Sequence, residues 1–113
     1  MAQNIESLER FREIATREDA VLFYFSNNVC GACDVLEEKA EQLLAEKFPE
    51  MKMYTVNTIQ HPDIAGQNRV FAAPTLLLYF GGREHSRFSR TVGLGQLETA
   101  IRRPYQMIFS ADV

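Results

Sequence analysis

Two cysteines separated by two residues, Cys30 and Cys33, are the residues of this sequence best suited to chemistry. They are its only cysteines among 113 residues. An apolar run that ends at Phe25 precedes them, and a pattern typical of an amphipathic helix follows them. The first backbone N–H groups of a helix have no partner within the helix, and that end carries partial positive charge. A thiol placed there ionises more readily, and only the thiolate attacks disulfides. The pattern therefore predicts a redox dithiol.

The elements that must position this pair follow from the spacing of apolar residues. The spacing predicts helices at 4–16, 31–47 and 93–103, a short helix near Pro62, and strands at 20–25, 51–57, 75–80 and 83–92. Gly81 and Gly82 suit a two-residue hairpin turn, and the polar strand after them suits a sheet edge. Pro104 is expected to stop or kink the last helix, because proline lacks the N–H that a helix interior needs. Strand, helix, strand and then a hairpin predict an α/β fold with a mixed sheet.

Length and composition limit the classes of function. A chain of this size is expected to form one domain over residues 1–113, with an apolar C-terminal extension at 104–113. A net charge of −3 gives no basic footprint for nucleic acid, and the apolar runs are too short to cross a membrane. The N-terminus shows no signal-peptide pattern, so a reducing compartment, the cytoplasm, is expected.

A metal site is the main alternative chemistry for the cysteine pair. Structural zinc takes about four ligands, and the two histidines, His61 and His85, lie far from the pair in sequence. No metal or other cofactor is therefore expected. An iron–sulfur or zinc site shared between two chains, with four thiolates, stays open as an alternative.

The segment from Val21 to Cys33 resembles the active-site segment of thioredoxins. Residues 70–82 resemble the family's cis-proline strand and its hairpin turn. Residues 91–93, followed by Leu97 and Ile101, resemble its last strand and last helix. The resemblance covers about residues 4–103. It implies a thioredoxin-like α/β fold whose central mixed sheet has helices on both faces. It also implies a cis peptide bond before Pro74, close to the dithiol.

The resemblance further implies a thiol–disulfide oxidoreductase. Cys30 would attack the disulfide of a substrate protein, and Cys33 would resolve the mixed disulfide that forms. Substrate is expected to contact four residues near the dithiol: Gly31, Ala32, Ala73 and Pro74. The implied partners are disulfide-containing proteins and a thiol reductase or other dithiol protein, and the chain is expected to be a monomer.

Several positions depart from the thioredoxin pattern. Tyr24 stands where the family has a buried aspartate, and Thr55 stands where it has a lysine. Ala32 replaces the usual proline, while Ser26 and Val29 replace tryptophans. We interpret Tyr24 first as an aromatic core residue. Because these changes alter the surroundings of the thiols, a thioredoxin-fold binding or scaffold module with weak or vestigial redox activity is the alternative function.

Overall fold

The structure is a computed structural model that describes residues 2–27, 31–90 and 92–109, with the backbone only for residues 31–34. The elements follow the order β1 Gln3–Asn4, α1 Leu8–Arg17, β2 Ala20–Ser26, α2 Gly31–Lys47, β3 Lys52–Asn57, α3 Pro62–Gln67, β4 Thr75–Phe80, β5 Arg83–Ser89 and α4 Leu94–Phe109. The strands form one sheet in the order β1-β3-β2-β4-β5. β3 is parallel to β1 and β2, whereas β4 is antiparallel to β2 and β5. The sheet is therefore mixed, as expected.

The central strand β2 separates two apolar layers. Successive side chains of a strand point to opposite faces, so Phe23 and Phe25 pack with α1 and α3, whereas Leu22 and Tyr24 pack with α2 and α4. All four side chains are fully buried. A strand buried on both faces needs apolar residues throughout, which explains the unbroken apolar run. The thioredoxin-like α/β fold with helices on both faces is confirmed.

The first predicted helix, 4–16, is wrong at its start. Gln3–Asn4 forms a short strand on β3, and the helix begins only at Leu8. Ser7 is the N-cap, and its hydroxyl accepts a hydrogen bond from the backbone N–H three residues later at 3.0 Å. Ile5 has the spacing from the apolar residues of α1 that a helix would give, because Ile5 is buried as they are. Its backbone, however, belongs to the sheet edge, since its N–H donates to the carbonyl of Thr55 at 2.8 Å. Burial at the sheet edge thus mimics helical spacing.

The expectation that Pro104 stops the last helix is also wrong. α4 continues through Pro104 to Phe109. The centroid of the Tyr105 ring lies 5.1 Å from the ring centroid of Phe48 and 4.7 Å from that of Phe109. The Tyr105 hydroxyl accepts a hydrogen bond from the backbone N–H of Glu50 at 3.0 Å. These contacts hold the last turns on the domain and offset the hydrogen bond that proline cannot make. Residues 110–113 of the predicted extension lie outside the described residues.

Smaller differences concern the sheet. β5 is an edge strand, but it ends at Ser89 and not at residue 92, because Arg90 adopts a left-handed backbone with φ of 71°. The turn at Gly81 and Gly82 has positive φ at both residues, as a type I′ hairpin turn requires. Within the described residues, no helix has the length and apolar character needed to cross a bilayer.

Candidate functional site

The cysteine motif lies across the start of α2. β2 ends at Ser26, and α2 begins at Gly31, so Cys30 is the residue directly before the helix in the chain. Gly31, Ala32 and Cys33 form the beginning of the first turn of α2. Cys30 itself lies outside the described residues, as do the side chains at positions 31–34. The backbone therefore gives the helix start that the sequence predicted, while the positions of the two sulfur atoms remain a prediction.

Pro74 lies at the same end of the sheet as the cysteine motif. The Ala73–Pro74 peptide is cis, which confirms the expectation drawn from the resemblance. β4 begins one residue later, and Thr75 pairs with Phe25 near the end of β2. The register thus places Pro74 beside the strand that leads into the motif. The hydroxyl of Thr75, which is buried, donates to the carbonyl of Ala72 at 2.6 Å and braces the loop before β4.

Contacts of α2 bring its second turn to the same loop. Leu36 of α2 and Ala73 both pack on the core layer between the sheet and α2, and Pro74 is buried. A groove of about 520 Å³ opens beside Pro74, between α2 and the segment that joins β5 to α4. Its lining residues are Val35, Leu36, Lys39, Pro74, Arg90, Val92, Gly93 and Leu94. The structure therefore brings the predicted site residue Pro74 together with the start of α2.

A second depression lies on the Ala73 side of the loop. It measures about 340 Å³ and is lined in part by Asn27, Thr58, Phe71 and Ala73. Phe71 is 86% exposed, the largest exposed fraction among the exposed large apolar side chains of the described residues. Sequence reasoning did not single out Phe71. The available signal was its position in an apolar stretch that turns into a loop, where an aromatic side chain has no core to enter.

Two arginines of the β5 segment hold the loop that carries Pro74. The guanidinium of Arg87 donates to the carbonyls of Asn68 at 3.0 Å and Arg69 at 3.2 Å. It also pairs with Glu84 at 2.7 Å, and this hydrogen bond raises the pKa of Arg87 above its ordinary value. The backbone N–H of Arg90 donates to the carbonyl of Pro74 at 2.7 Å. Sequence reasoning missed both contacts, because they depend on how β5 lies against residues 68–74.

The layer beneath α2 contains neutral side chains, Tyr24 and Thr55, at the two positions where thioredoxins have a buried aspartate and a lysine. Tyr24 is fully buried in this layer, which confirms its interpretation as a core residue. It lies in register with Thr55 of β3. Thr55 is buried, and its hydroxyl hydrogen-bonds the side-chain oxygen of Asn4. In the described part of the chain the buried polar residues are Thr55 and Thr75, and neither carries a charge.

A mixed sheet with helices on both faces, a C-x-x-C sequence at the start of α2 and a cis-proline before β4 define the thioredoxin class of proteins. The sequence profile of the family described as Thioredoxin matches residues 3–103, and this chain belongs to the thioredoxin family. Thioredoxin 1 of Chlorobaculum tepidum is 29% identical over 101 residues, which are 89% of this chain and 95% of that protein. The thioredoxin-like protein YdfQ of Bacillus subtilis is 27% identical over 103 residues, 91% of each chain.

Solved structures agree with this assignment of the fold. Mitochondrial thioredoxin 3 of Saccharomyces cerevisiae, in its oxidised form, superposes with a TM-score of 0.81 at 23% identity. The match covers 89% of this chain and 93% of that one. At this level of identity the likeness establishes the thioredoxin fold.

Proposed function

We propose that this protein is a thiol–disulfide oxidoreductase that exchanges disulfides with protein substrates through Cys30 and Cys33. Membership of the thioredoxin family supports this general class of activity. The observation that carries the specific proposal is the position of the C-x-x-C sequence at the start of α2, at the sheet end that holds the cis Ala73–Pro74 peptide. Free N–H groups at a helix start stabilise a thiolate, which is the reactive species.

In the proposed reaction, the thiolate of Cys30 attacks one sulfur of a substrate disulfide. A new S–S bond forms between Cys30 and the substrate, and the second substrate sulfur leaves as a thiolate that takes up a proton. The thiolate of Cys33 then attacks the Cys30 sulfur of this mixed disulfide and releases the first substrate sulfur as a thiol. The substrate gains two electrons and two protons, and the protein keeps a Cys30–Cys33 disulfide.

The substrate is proposed to lie across four residues around the dithiol: Gly31, Ala32, Ala73 and Pro74. Gly31 and Ala32 belong to the first turn of α2, and Ala73 and Pro74 belong to the loop before β4. An extended substrate segment can pair with the backbone of Ala73 as an added strand does. The groove and the depression on either side of this loop provide room for substrate side chains.

Continued turnover requires a partner that reduces the disulfide again, which we propose is a thiol reductase or another dithiol protein. Because both cysteines of the sequence belong to the motif, the proposed setting is a reducing compartment, the cytoplasm. The protein is proposed to act as a monomer without a metal or other cofactor.

Trapping of reaction intermediates tests the function. Cys33→Ser should accumulate mixed disulfides with protein substrates, because the resolving thiol is missing, whereas Cys30→Ser should accumulate few. Reduction of insulin by dithiothreitol, followed by turbidity, should be faster with the wild-type protein than with the double variant Cys30→Ser/Cys33→Ser. Equal rates would instead support a binding or scaffold module. The neutral, buried surroundings at Tyr24 and Thr55 are the observation that favours this second candidate.

Ala32 is proposed to make the Cys30–Cys33 dithiol more oxidising than a dithiol with proline at this position. Ala32 keeps a backbone N–H that proline lacks, and this donor can stabilise the thiolate of Cys30. In addition, the neutral Tyr24 stands where the family has a buried aspartate, whose negative charge would oppose a nearby thiolate. A more stable reduced form makes a stronger oxidant. Equilibration with glutathione should therefore give a less oxidising potential for Ala32→Pro, and an unchanged or more oxidising potential would refute this argument.

A further inference from the structure

The groove beside Pro74 combines apolar walls with two cationic side chains. Val35 and Leu94 are 56% and 37% exposed, so apolar surface faces solvent on both sides of the groove. Lys39 of α2 and Arg90, which follows β5, also line it. Exposed apolar side chains that share one concave surface are typical of a contact site for another molecule.

Neither cation is neutralised by the part of the chain that the structure describes. Lys39 and Arg90 make no ion pair there, whereas Lys47 and Arg102 pair with Glu98 and Arg87 pairs with Glu84. The chain as a whole carries a net charge of −3, so the two positive charges that line this groove are opposite in sign to the net charge of the molecule. A carboxylate of a partner is the group that complements them.

The backbone holds Arg90 at this place. Its N–H donates to the carbonyl of Pro74 at 2.7 Å, and its φ of 71° lies in the left-handed region that residues other than glycine seldom adopt. The contact ties the position of Arg90 to the loop that the proposed function assigns to substrate binding. The side chain of Arg90 is exposed at this position.

We propose that this groove selects substrates: among protein disulfides, it favours extended segments that carry an apolar side chain close to a carboxylate. The apolar side chain lies against the walls of the groove, and the carboxylate interacts with Lys39 and Arg90. This inference rests on the proposed function, because it names the class of disulfide with which the Cys30–Cys33 dithiol reacts. Charge pairs at an exposed rim are weak, so each cation should change the reaction rate by about two- to fivefold.

Matched disulfide peptides test the proposal with the full chain. The peptides share a leucine near the cysteine and differ at one further position, which is Glu, Gln or Lys. Second-order rate constants for their reduction by the reduced protein should fall in the order Glu, Gln, Lys. The difference should shrink at about 1 M NaCl, where the Debye length is about 3 Å. Equal rates for the Glu and Gln peptides would overturn the proposal.

Two double variants with the same change in charge locate the effect. Lys39→Gln/Arg90→Asn removes both groove cations, and asparagine tolerates the left-handed backbone at position 90. Arg12→Gln/Lys52→Gln removes two exposed cations, one on α1 and one on β3, that do not line this groove. The groove variant should lose most of the Glu preference, whereas the control variant should keep it. An equal loss in both variants would assign the preference to net charge and overturn the proposal.

A binding measurement separates this proposal from the proposed function. The same peptides with serine in place of cysteine cannot react, but they can occupy the groove. Shifts of the backbone amide signals at Lys39, Arg90 and Val92 on titration report this binding by NMR. If no disulfide peptide reacts, the redox function fails, and tighter binding of the Glu peptide than of the Gln peptide still supports the groove specificity. Equal binding of these two peptides overturns it.

Discussion

Replacing Arg87 by glutamine should loosen the loop that carries Pro74. Arg87 is the donor that joins β5 to the start of this loop, through the carbonyls of Asn68 and Arg69. Arg69 has a left-handed backbone with φ of 55°, so the chain needs support there. Glutamine is shorter than arginine and carries no charge. Arg87→Gln therefore removes both contacts to the loop together with the ion pair to Glu84.

The magnitude follows from the contacts. The side chain of Arg87 is 34% exposed to water, so we take about 1 kcal/mol for each bond to a carbonyl, which is below the range of about 1.5 to 3 kcal/mol for charged groups. The partly exposed ion pair with Glu84 adds about 0.5 kcal/mol. Water replaces part of the lost bonding, which leaves an expected decrease of about 2 kcal/mol in the free energy of unfolding. Glu84→Gln removes only the ion pair and should cost about 0.5 kcal/mol.

Urea unfolding and hydrogen exchange together check this prediction. Urea unfolding gives the two free-energy changes. Hydrogen exchange reports the loop itself: the N–H of Val70 donates to the carbonyl of Ala65 at 2.9 Å, and its exchange should accelerate in Arg87→Gln much more than in Glu84→Gln. A cost for Glu84→Gln as large as that for Arg87→Gln would show that the ion pair, and not the contact with the loop, is the stabilising element. Unchanged exchange at Val70 would refute the reasoning.

Three further predictions concern Phe71, Tyr105 and Glu98. Phe71→Ala should change the free energy of unfolding by less than about 0.5 kcal/mol, because the ring is exposed. It should nevertheless slow insulin reduction, because the ring lines the depression beside Ala73 that is proposed to take substrate side chains. Tyr105→Phe should cost about 1 kcal/mol in urea unfolding by losing one hydrogen bond, whereas Tyr105→Ala should cost about 2 to 3 kcal/mol by also losing its contact with Phe48. The pKa of Glu98 is lowered, and the largest cause is the hydrogen bond that its carboxylate accepts from Arg102. The ionised Glu98 side chain therefore stabilises the fold at pH values above its unfolded-state pKa, and this stabilisation is lost as the pH falls through its folded-state pKa. Glu98→Gln should therefore melt below wild type near neutral pH, and a difference that persists in acid below the lowered pKa would contradict this assignment.

The parts of the fold that depend on local pattern could be predicted from the sequence. β4 spans Thr75–Phe80 and α2 spans Gly31–Lys47, as the spacing predicted, because burial on both faces of a strand and on one face of a helix dictates the residue types. The start of α1 could not be predicted in this way. Ile5 is buried at the sheet edge and not in the helix, and apolar spacing does not distinguish these two environments.

In the candidate site, too, some features follow from local sequence and others do not. The start of α2 follows from local sequence, whereas the cis bond before Pro74 follows only from the resemblance, since most X–Pro bonds are trans. The contacts of Arg87 and Arg90 with the loop join segments that are distant in the chain, and no local pattern encodes them. At Pro104 the local sequence predicts the wrong result, because packing of α4 on the domain overrides the tendency of proline to end a helix.

Alkylation of the fully reduced protein tests the central claim most directly. The adducts at Cys30 and Cys33 are mapped by mass spectrometry after short exposure to iodoacetamide over a range of pH. A thiol at the start of α2 should ionise below the pKa of a free thiol, about 8.5, so Cys30 should be labelled first and should still react about two pH units below that value. Cys33, in the first turn of the helix, should be labelled more slowly. Faster labelling of Cys33, or labelling of both cysteines with the pH dependence of free thiols, would contradict the account.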